Sequence, residues 1–399
     1  MHDQYESMKA WVEYIRRVDA TEGWQEWMHV GDWLALDNPR GGVDQARGGT
    51  DEGYIGYVYY AYSAQLVAQV AEILGNSDDA LKYKTLSNDI RTKIKEEYFS
   101  PTGRCCINTQ TALILALRHG LTPDVEKTKK ALKNKFKESG GKLKTGFVGT
   151  PLLCPVLSEN AMSKKAYDLL LNEEYPGWLF SVNLGATTIW ERWNSVEANG
   201  LMSSTGMNSL NHYAYGSIVE WLFRYAAGLK PVEDTPGFRH VLLQPEPDFR
   251  LGYLDTVYDS PAGTYRVHWK FENKNTLSLF IEIPFNCTAE LKLPYEPEVL
   301  PDNHSLPMRN TNGYYLLEAG NYTITYSVEI PQDILSADNK MQDLMSDAYA
   351  KRVLIQHIPG ILSVPDSMYH KSLRELLTAF RGENAEREIQ LVDADLKER

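Results

Sequence analysis

The sequence has 399 residues, 43% of them hydrophobic, and a formal net charge of -12. That length holds two or three domains with a sizeable core, and the acidic balance argues against a nucleic-acid partner. No run of about 20 apolar residues marks a membrane span, and the charged, amphipathic start MHDQYESMKAWVEYI lacks a signal-peptide core, so a cytoplasmic location is expected.

Residues 1–230 read as helices. ESMKAWVEYIRRV places Met8, Trp11, Val12 and Ile15 at helical spacing on one face. YVYYAYSAQLVAQVAEILG continues the pattern and stops at Gly75, a plausible C-terminal cap. LKYKTLSNDIRTKIKEEYF, TQTALILALRHG, DVEKTKKALKNKFKES, TPLLCPVLS and KKAYDLLLNEEY follow. LNHYAYGSIVEWLFRYAAG reads as one last long helix closed by Gly228. From 238 to 330 the apolar period changes to two, in TYRVHWKFE, LSLFIEIPF and NYTITYSVEI, with Asn, Gly and Pro between the runs. That pattern predicts an antiparallel β-sandwich, with PVEDTPGF as the linker before it. Residues 331–399 return to helical spacing and end in the charged run RGENAEREIQLVDADLKER, expected to be frayed or disordered.

Two connections are long for a helical array. Glu22 to Asp51 carries Trp24, Trp27, Asp32, Trp33 and Asp37, and Pro176 to Met207 carries Trp178, Trp190, Glu191, Arg192 and Trp193. Loops rich in Trp and acid are where binding and catalysis are usually placed, although such loops can also plug the end of a bundle. Aromatic faces grip sugars through C–H contacts, and eight of the nine Trp lie before residue 222. Indole neighbours raise the pKa of a carboxylate such as Glu191, and a cation such as Arg192 lowers it. The order of residues leaves both outcomes open, together with a plain Glu–Arg surface pair. His212, in NSLNHYAYGS, stands among polar neighbours at the start of the last helix, where it could bond a hydroxyl or serve structure alone. Asn208 or Ser209 could cap that helix.

Other chemistries find no support. There is no P-loop, GxGxxG, HExxH or GxSxG. Cys105, Cys106, Cys154 and Cys287 lack zinc-ligand spacing and read as reduced, small apolar residues. No metal or cofactor is expected.

GATTIWERW, followed by GMNSLNHYAYGSIVEWLFRYAAGL, resembles glycoside hydrolase family 78, the bacterial α-L-rhamnosidases. QYESMKAWVEYI, VGDWLALD, TQTALILALRHGL and GGKLKTGFVGTPLLCPVLS agree, and PGFRHVLLQPEP resembles the start of that family's C-terminal β-sandwich. The likeness runs over residues 4–330 and stops before the tail. It implies an incomplete (α/α)6 toroid over 1–230 and a β-sandwich over 238–330, while the helical appendage over 331–399 is expected from residue spacing alone. It also implies inverting hydrolysis of terminal α-L-rhamnosides, with one carboxylic acid protonating the leaving oxygen and a second carboxylate activating water.

By the resemblance Glu191 is the general base, His212 contacts the sugar, and Trp33 packs on the rhamnose face. Asp32, Trp190, Trp193 and Arg192 complete the expected pocket. The family also carries an acidic segment similar to DxRDERLGWTGD that includes the general acid, and no such string occurs here. The resemblance therefore implies a chain that starts in the middle of the toroid, with weak or no activity alone. A homo-oligomer or a complementing N-terminal chain would be its partner, and rhamnose-containing glycosides its ligands. Two alternatives stand beside this reading: a non-catalytic protein that binds rhamnosides, and a different (α/α)6 enzyme such as a phosphorylase. The last lacks a basic cluster for phosphate.

Overall fold

The computed structural model describes residues 1–38, 46–295, 306–307, 309–330, 335–382 and 385–397. These fall into two compact units. The first comprises Met1–Val156, Asp168–Tyr215 and Leu335–Arg399, and the second Leu157–Tyr167 and Gly216–Ile334.

Helices build the first unit. They are α1 (His2–Thr21), α2 (Glu52–Ile73), α3 (Ser77–Tyr98), α4 (Gln110–Arg118) and α5 (Val125–Glu138). Then come α6 (Thr150–Glu159) and α7 (Ser163–Leu170), along which the chain passes between units, and the short α8 (Trp178–Asn183). α1 packs on α2, α2 on α3 and α4 on α5. Side-chain caps set the starts: Asp51 accepts the Tyr54 amide for α2, Thr109 that of Ala112 for α4, and Asp124 that of Lys127 for α5. α2 is apolar on most sides and buries Tyr54, Tyr57, Tyr60 and Ala64 completely or nearly so. On α1 the buried face is Tyr5, Val12 and Ile15, whereas Trp11 is exposed. Membership in the apolar stripe did not ensure burial for a residue at its edge.

The second unit is a β-sandwich of two four-stranded sheets, in orders β1-β2-β6-β7 and β3-β4-β5-β8. Its strands are β1 (Leu229–Pro231), β2 (His240–Leu243), β3 (Tyr253–Ser260), β4 (Gly263–Asn273), β5 (Thr276–Ile283), β6 (Thr288–Leu291), β7 (Tyr315–Leu317) and β8 (Gly320–Ser327). Every second residue of β5 is buried, as the period of two requires. Trp269, Leu277, Ile281 and Leu291 lie in the shared core. Two details differ from the sequence reading. β2 and β6 are parallel, and the first strand begins ahead of PVEDTPGF and takes in its Pro231, with Leu229 paired to Leu243 and Pro231 to Val241. The segment 232–238 is therefore a connection inside the sandwich, and the change of structure falls at Gly228. The expected last long helix is also broken. A 3-10 turn (Ala214–Ser217), α9 (Ile218–Trp221) and a π-helical turn (Leu222–Ala226) share that stretch.

The tail is a helical module of α10 (Met341–Met345), α11 (Ala348–His357), α12 (Leu373–Arg381) and α13 (Ala385–Lys397). Within its charged end, expected to be frayed or disordered, residues 385–397 are helix. Ile389, Val392 and Leu396 recur at helical spacing and are buried with Met341, Leu354, Leu373 and Leu376, leaving the charges on the other face. Asp347 caps α11, and Ser372 with Glu375 forms a capping box on α12.

Candidate active site

Two stretches of loop lie side by side and carry Glu191 and His212. The Glu191 amide donates to the Ser209 carbonyl at 2.9 Å, and the His212 amide to the Ile189 carbonyl at 2.8 Å. The Ser209 amide in turn donates to Glu191 Oε2 at 3.1 Å, and Thr188 Oγ1 bonds the Leu210 carbonyl. Glu191 is half-buried and one of its oxygens is fixed by a backbone N–H. The Arg192 amide donates to Ser195 Oγ at 3.1 Å, within a local turn.

His212 lies in the turn before the 3-10 segment, not within a helix. Its Nδ1 accepts the Ala214 amide at 3.3 Å, which assigns the ring proton to Nε2 and leaves that N–H as a donor. The ring is stacked between Phe147, with centroids 4.9 Å apart, and the exposed Tyr213 at 5.1 Å. Neither Asn208 nor Ser209 caps a helix. Asn208 Nδ2 donates to the Ser203 carbonyl at 2.5 Å, and Ser209 Oγ accepts the Asn211 amide at 3.2 Å.

Asp32 has a different place from the one expected. Its side chain is fully buried, and both oxygens are taken by four donors. Thr111 Oγ1 and the Gly146 amide reach Oδ2 at 2.5 and 2.9 Å, and the Val148 and Gly149 amides reach Oδ1 at 2.8 and 3.1 Å. Burial raises its pKa, and these four donors oppose the rise. No face of the carboxylate is left for a sugar, so the sugar contact expected of Asp32 is corrected to a loop anchor. The loop it holds is 146–149, and there the Phe147 amide donates to the Trp33 carbonyl at 2.8 Å. Gly146 is required by this approach, because a Cβ there would stand 2.2 Å from that carbonyl oxygen. Trp33 is half-buried and forms a bridge with Arg47.

Behind Glu191 stands an aromatic wall. Trp190 and Trp193 are both buried. Trp193 stacks on Tyr215 at 4.0 Å and meets Trp178 edge-on at 5.1 Å, while Trp178 Nε1 donates to the Tyr215 carbonyl at 2.8 Å. Tyr215 meets Phe147 edge-on at 5.4 Å, which continues the wall to His212. Burial, first, and the charge of Asp32 raise the Tyr215 phenol pKa, and Arg192 opposes them. The Trp193 Nε1 and Tyr215 hydroxyl are buried without a hydrogen-bond partner among the described residues.

The structure thus joins Glu191, His212, Trp193 and, through Phe147, the Asp32–Trp33 loop. Sequence reasoning missed Phe147. Its signal was the GFVG string, whose glycines admit the backbone approach around Asp32. The other aromatic residues of the first long loop serve local packing: Trp24 Nε1 donates to the Gly56 carbonyl at 3.1 Å, and Trp27 stacks on Trp24. Asp37 accepts the Gly49 amide at 2.8 Å. A polar cleft of about 560 Å³ opens beside this loop, lined in part by Gln25, Arg47, Thr50, Asp51 and Asn108. Among the described residues no group of His, Cys, Asp and Glu is arranged to hold a metal ion.

Comparison with known proteins agrees along most of the chain. Residues 1–226 match the family model of the bacterial alpha-L-rhamnosidase 6 hairpin glycosidase domain, and residues 228–304 that of the bacterial alpha-L-rhamnosidase C-terminal domain. An alpha-L-rhamnosidase of Alteromonas sp. (strain LOR) is 34% identical over 81% of this chain and 35% of its own. One from Formosa agariphila is 35% identical over 78% of this chain and 33% of its own. The crystal structure of the Streptomyces avermitilis alpha-L-rhamnosidase complexed with L-rhamnose superposes with a TM-score of 0.71 at 30% identity, over 82% of this chain and 30% of that one. The native enzyme of Aspergillus terreus gives 0.71 at 28% identity, over 83% and 36%. The chain spans about a third of the length of the curated relatives it matches. With a six-hairpin domain and the C-terminal sandwich behind it, this chain belongs to the bacterial α-L-rhamnosidase family.

Proposed function

We propose that this chain supplies the sugar pocket and the water-activating carboxylate of a site that hydrolyses terminal α-L-rhamnosides with inversion. The observation that carries the reading is the pairing of 189–191 with 209–212, which sets Glu191 and His212 on one edge. Family membership supports the substrate class. Glu191 takes a proton from water as the water oxygen attacks the anomeric carbon. The anomeric C–O bond to the aglycone breaks, and its oxygen leaves with a proton from a second carboxyl group. In an inverting pair these groups stand roughly 6.5–9.5 Å apart, leaving room for the water. Trp33 and the His212 Nε2–H contact the sugar. Trp190, Trp193 and Arg192 form the wall behind it, and Asp32 keeps the supporting loop in place.

The acid comes, in this proposal, from polypeptide outside residues 1–399, in the same protein or in a complementing one. Ile189, Leu201, Met202, Met207, Leu210 and Tyr213 are all exposed on the loops around Glu191. Large apolar surface of this kind marks an interaction face. Without the acid, glycosides with poor leaving groups should react about 10²–10⁴-fold more slowly, and aryl rhamnosides with good leaving groups should suffer less.

Proton NMR of the sugar first released from an aryl α-L-rhamnoside tests the reading. β-L-Rhamnose should form before mutarotation. Initial release of the α anomer would refute inversion and the water-activating role of Glu191.

A further inference from the structure

The helical tail lies outside both matched family domains, which end at residue 304, yet it grips the loops that support the candidate site. Three contacts make the grip. Lys351 on α11 places Nζ 3.0 Å from Glu174 Oε2. Lys137 on α5 pairs with Asp343 on α10. Gly141, with φ +80°, brings its backbone against Ser346, where a Cβ would meet the carbonyl oxygen at 2.2 Å. A side chain at 141 would push the tail away.

Glu174 connects this grip to the aromatic wall. Its carboxylate is shared with Lys142, whose Nζ lies 2.9 Å away and also donates to the Tyr175 carbonyl at 2.6 Å. The hydrogen bond from Lys142, the partial burial that works against it, and the bond from Lys351 together leave the Glu174 pKa below its ordinary value. Asn172 Nδ2 ties the Glu174 and Pro176 carbonyls at 2.6 and 2.7 Å, so the turn 172–177 is one stiff piece. That turn ends at Gly177, the N-cap of α8, whose first residue is Trp178. Trp178 braces both Trp193 and the Tyr215 carbonyl. A displacement of Glu174 is therefore passed to the rings behind Glu191 within a few residues.

We propose that residues 335–382 and 385–397 are a built-in clasp that positions the sugar-binding wall through Glu174, with Lys351 as its positioning residue. The proposal rests on the rhamnoside reading for its ligand but not for its mechanics. An exposed ion pair is individually weak, so substitution should change affinity by about threefold to fivefold rather than abolish it.

The test uses the full chain, L-rhamnose as the probe, and three variants: Lys351→Met, Lys351→Arg and Glu174→Gln. Rhamnose affinity is read by titration, and amide hydrogen exchange over 172–178 is read on the same samples without sugar. Lys351→Met and Glu174→Gln should both weaken rhamnose binding and speed exchange in 172–178, and Lys351→Arg should restore both. A parental affinity and unchanged exchange in Lys351→Met and Glu174→Gln would overturn the clasp. Faster exchange with parental affinity would also overturn it, by showing that the turn does not position the wall. If the parent chain binds no rhamnose, the proposed function fails. The exchange comparison still decides the clasp: faster exchange in both variants, reversed by Lys351→Arg, supports it, and unchanged exchange overturns it.

Discussion

Glu191 and Ser209 hold each other by two hydrogen bonds, amide to carbonyl at 2.9 Å and amide to carboxylate Oε2 at 3.1 Å. Both bonds use the backbone of residue 209, so the Ser209 side chain is dispensable to them and its N–H is not. The main chain fixes the carboxylate through Oε2, and in the proposed reaction Oε1 is the oxygen that takes the proton from water. Ser209→Pro removes the N–H and should lower the rate on an aryl rhamnoside by about 10–100-fold through lost orientation. Ser209→Ala should stay near the parent. Initial rates of the two variants decide the point, and equal rates would mean that the amide does not orient the base.

The stack of Phe147 on His212 gives a second prediction. Such ring pairs contribute about 0.5–1.5 kcal/mol. Phe147→Leu should weaken L-rhamnose binding by about twofold to tenfold, by freeing the imidazole, with little change in fold. His212→Ala removes the Nε2 donor itself and should cost about tenfold or more. Isothermal titration of both variants checks the order. Unchanged affinity in His212→Ala would make that residue structural.

These residues also show what the sequence could disclose. Period and turn residues were enough for most helices before the sandwich and most of its strands, because each buries a face whose spacing is written in the chain; they were not enough for the broken stretch 214–226 or for β1, which is only three residues long. Glu191 and His212 stood out through their neighbours and the family likeness. Phe147 did not, because its importance comes from a contact across 65 positions, between residues 147 and 212. Asp32 looked like a pocket acid for the opposite reason. Its four donors come from Thr111 and from three backbone amides of the loop 146–149, and backbone donors carry no residue signature. The charged tail misled because three buried apolar residues, Ile389, Val392 and Leu396, outweigh the charges around them.

Asp32 yields a stability prediction. Asp32→Asn keeps the shape but turns an NH₂ toward at least one of the donors, leaving buried groups unsatisfied. A loss of about 2–3 kcal/mol is expected in urea unfolding. A loss below about 0.5 kcal/mol would show that the carboxylate does not hold the loop.

A pH dependence follows from His119, at the C-terminal end of α4 beside Tyr59 and Tyr62. Burial, and then the charges of Arg118 and Arg91, lower its pKa to about 4, and its Nε2 is buried without a hydrogen-bond partner among the described residues. The unfolded chain takes up this proton near the ordinary value of about 6.5. As pH falls, the unfolded state is protonated first, so the stability present above about 6.5 is lost progressively down to about 4. His119→Leu should flatten that part of the stability–pH curve. An equal slope in parent and variant would contradict the assignment.

Glu191 is proposed to activate water in a rhamnoside-cleaving site. Release of p-nitrophenol from p-nitrophenyl α-L-rhamnoside, by the purified chain and by Glu191→Gln, tests it most directly. Gln retains an acceptor for the Ser209 amide, so the loop should keep its geometry while the base is lost. The account predicts slow release by the parent and a fall of about 10²–10⁴-fold in the variant. Release by Glu191→Gln at the parental rate would contradict it.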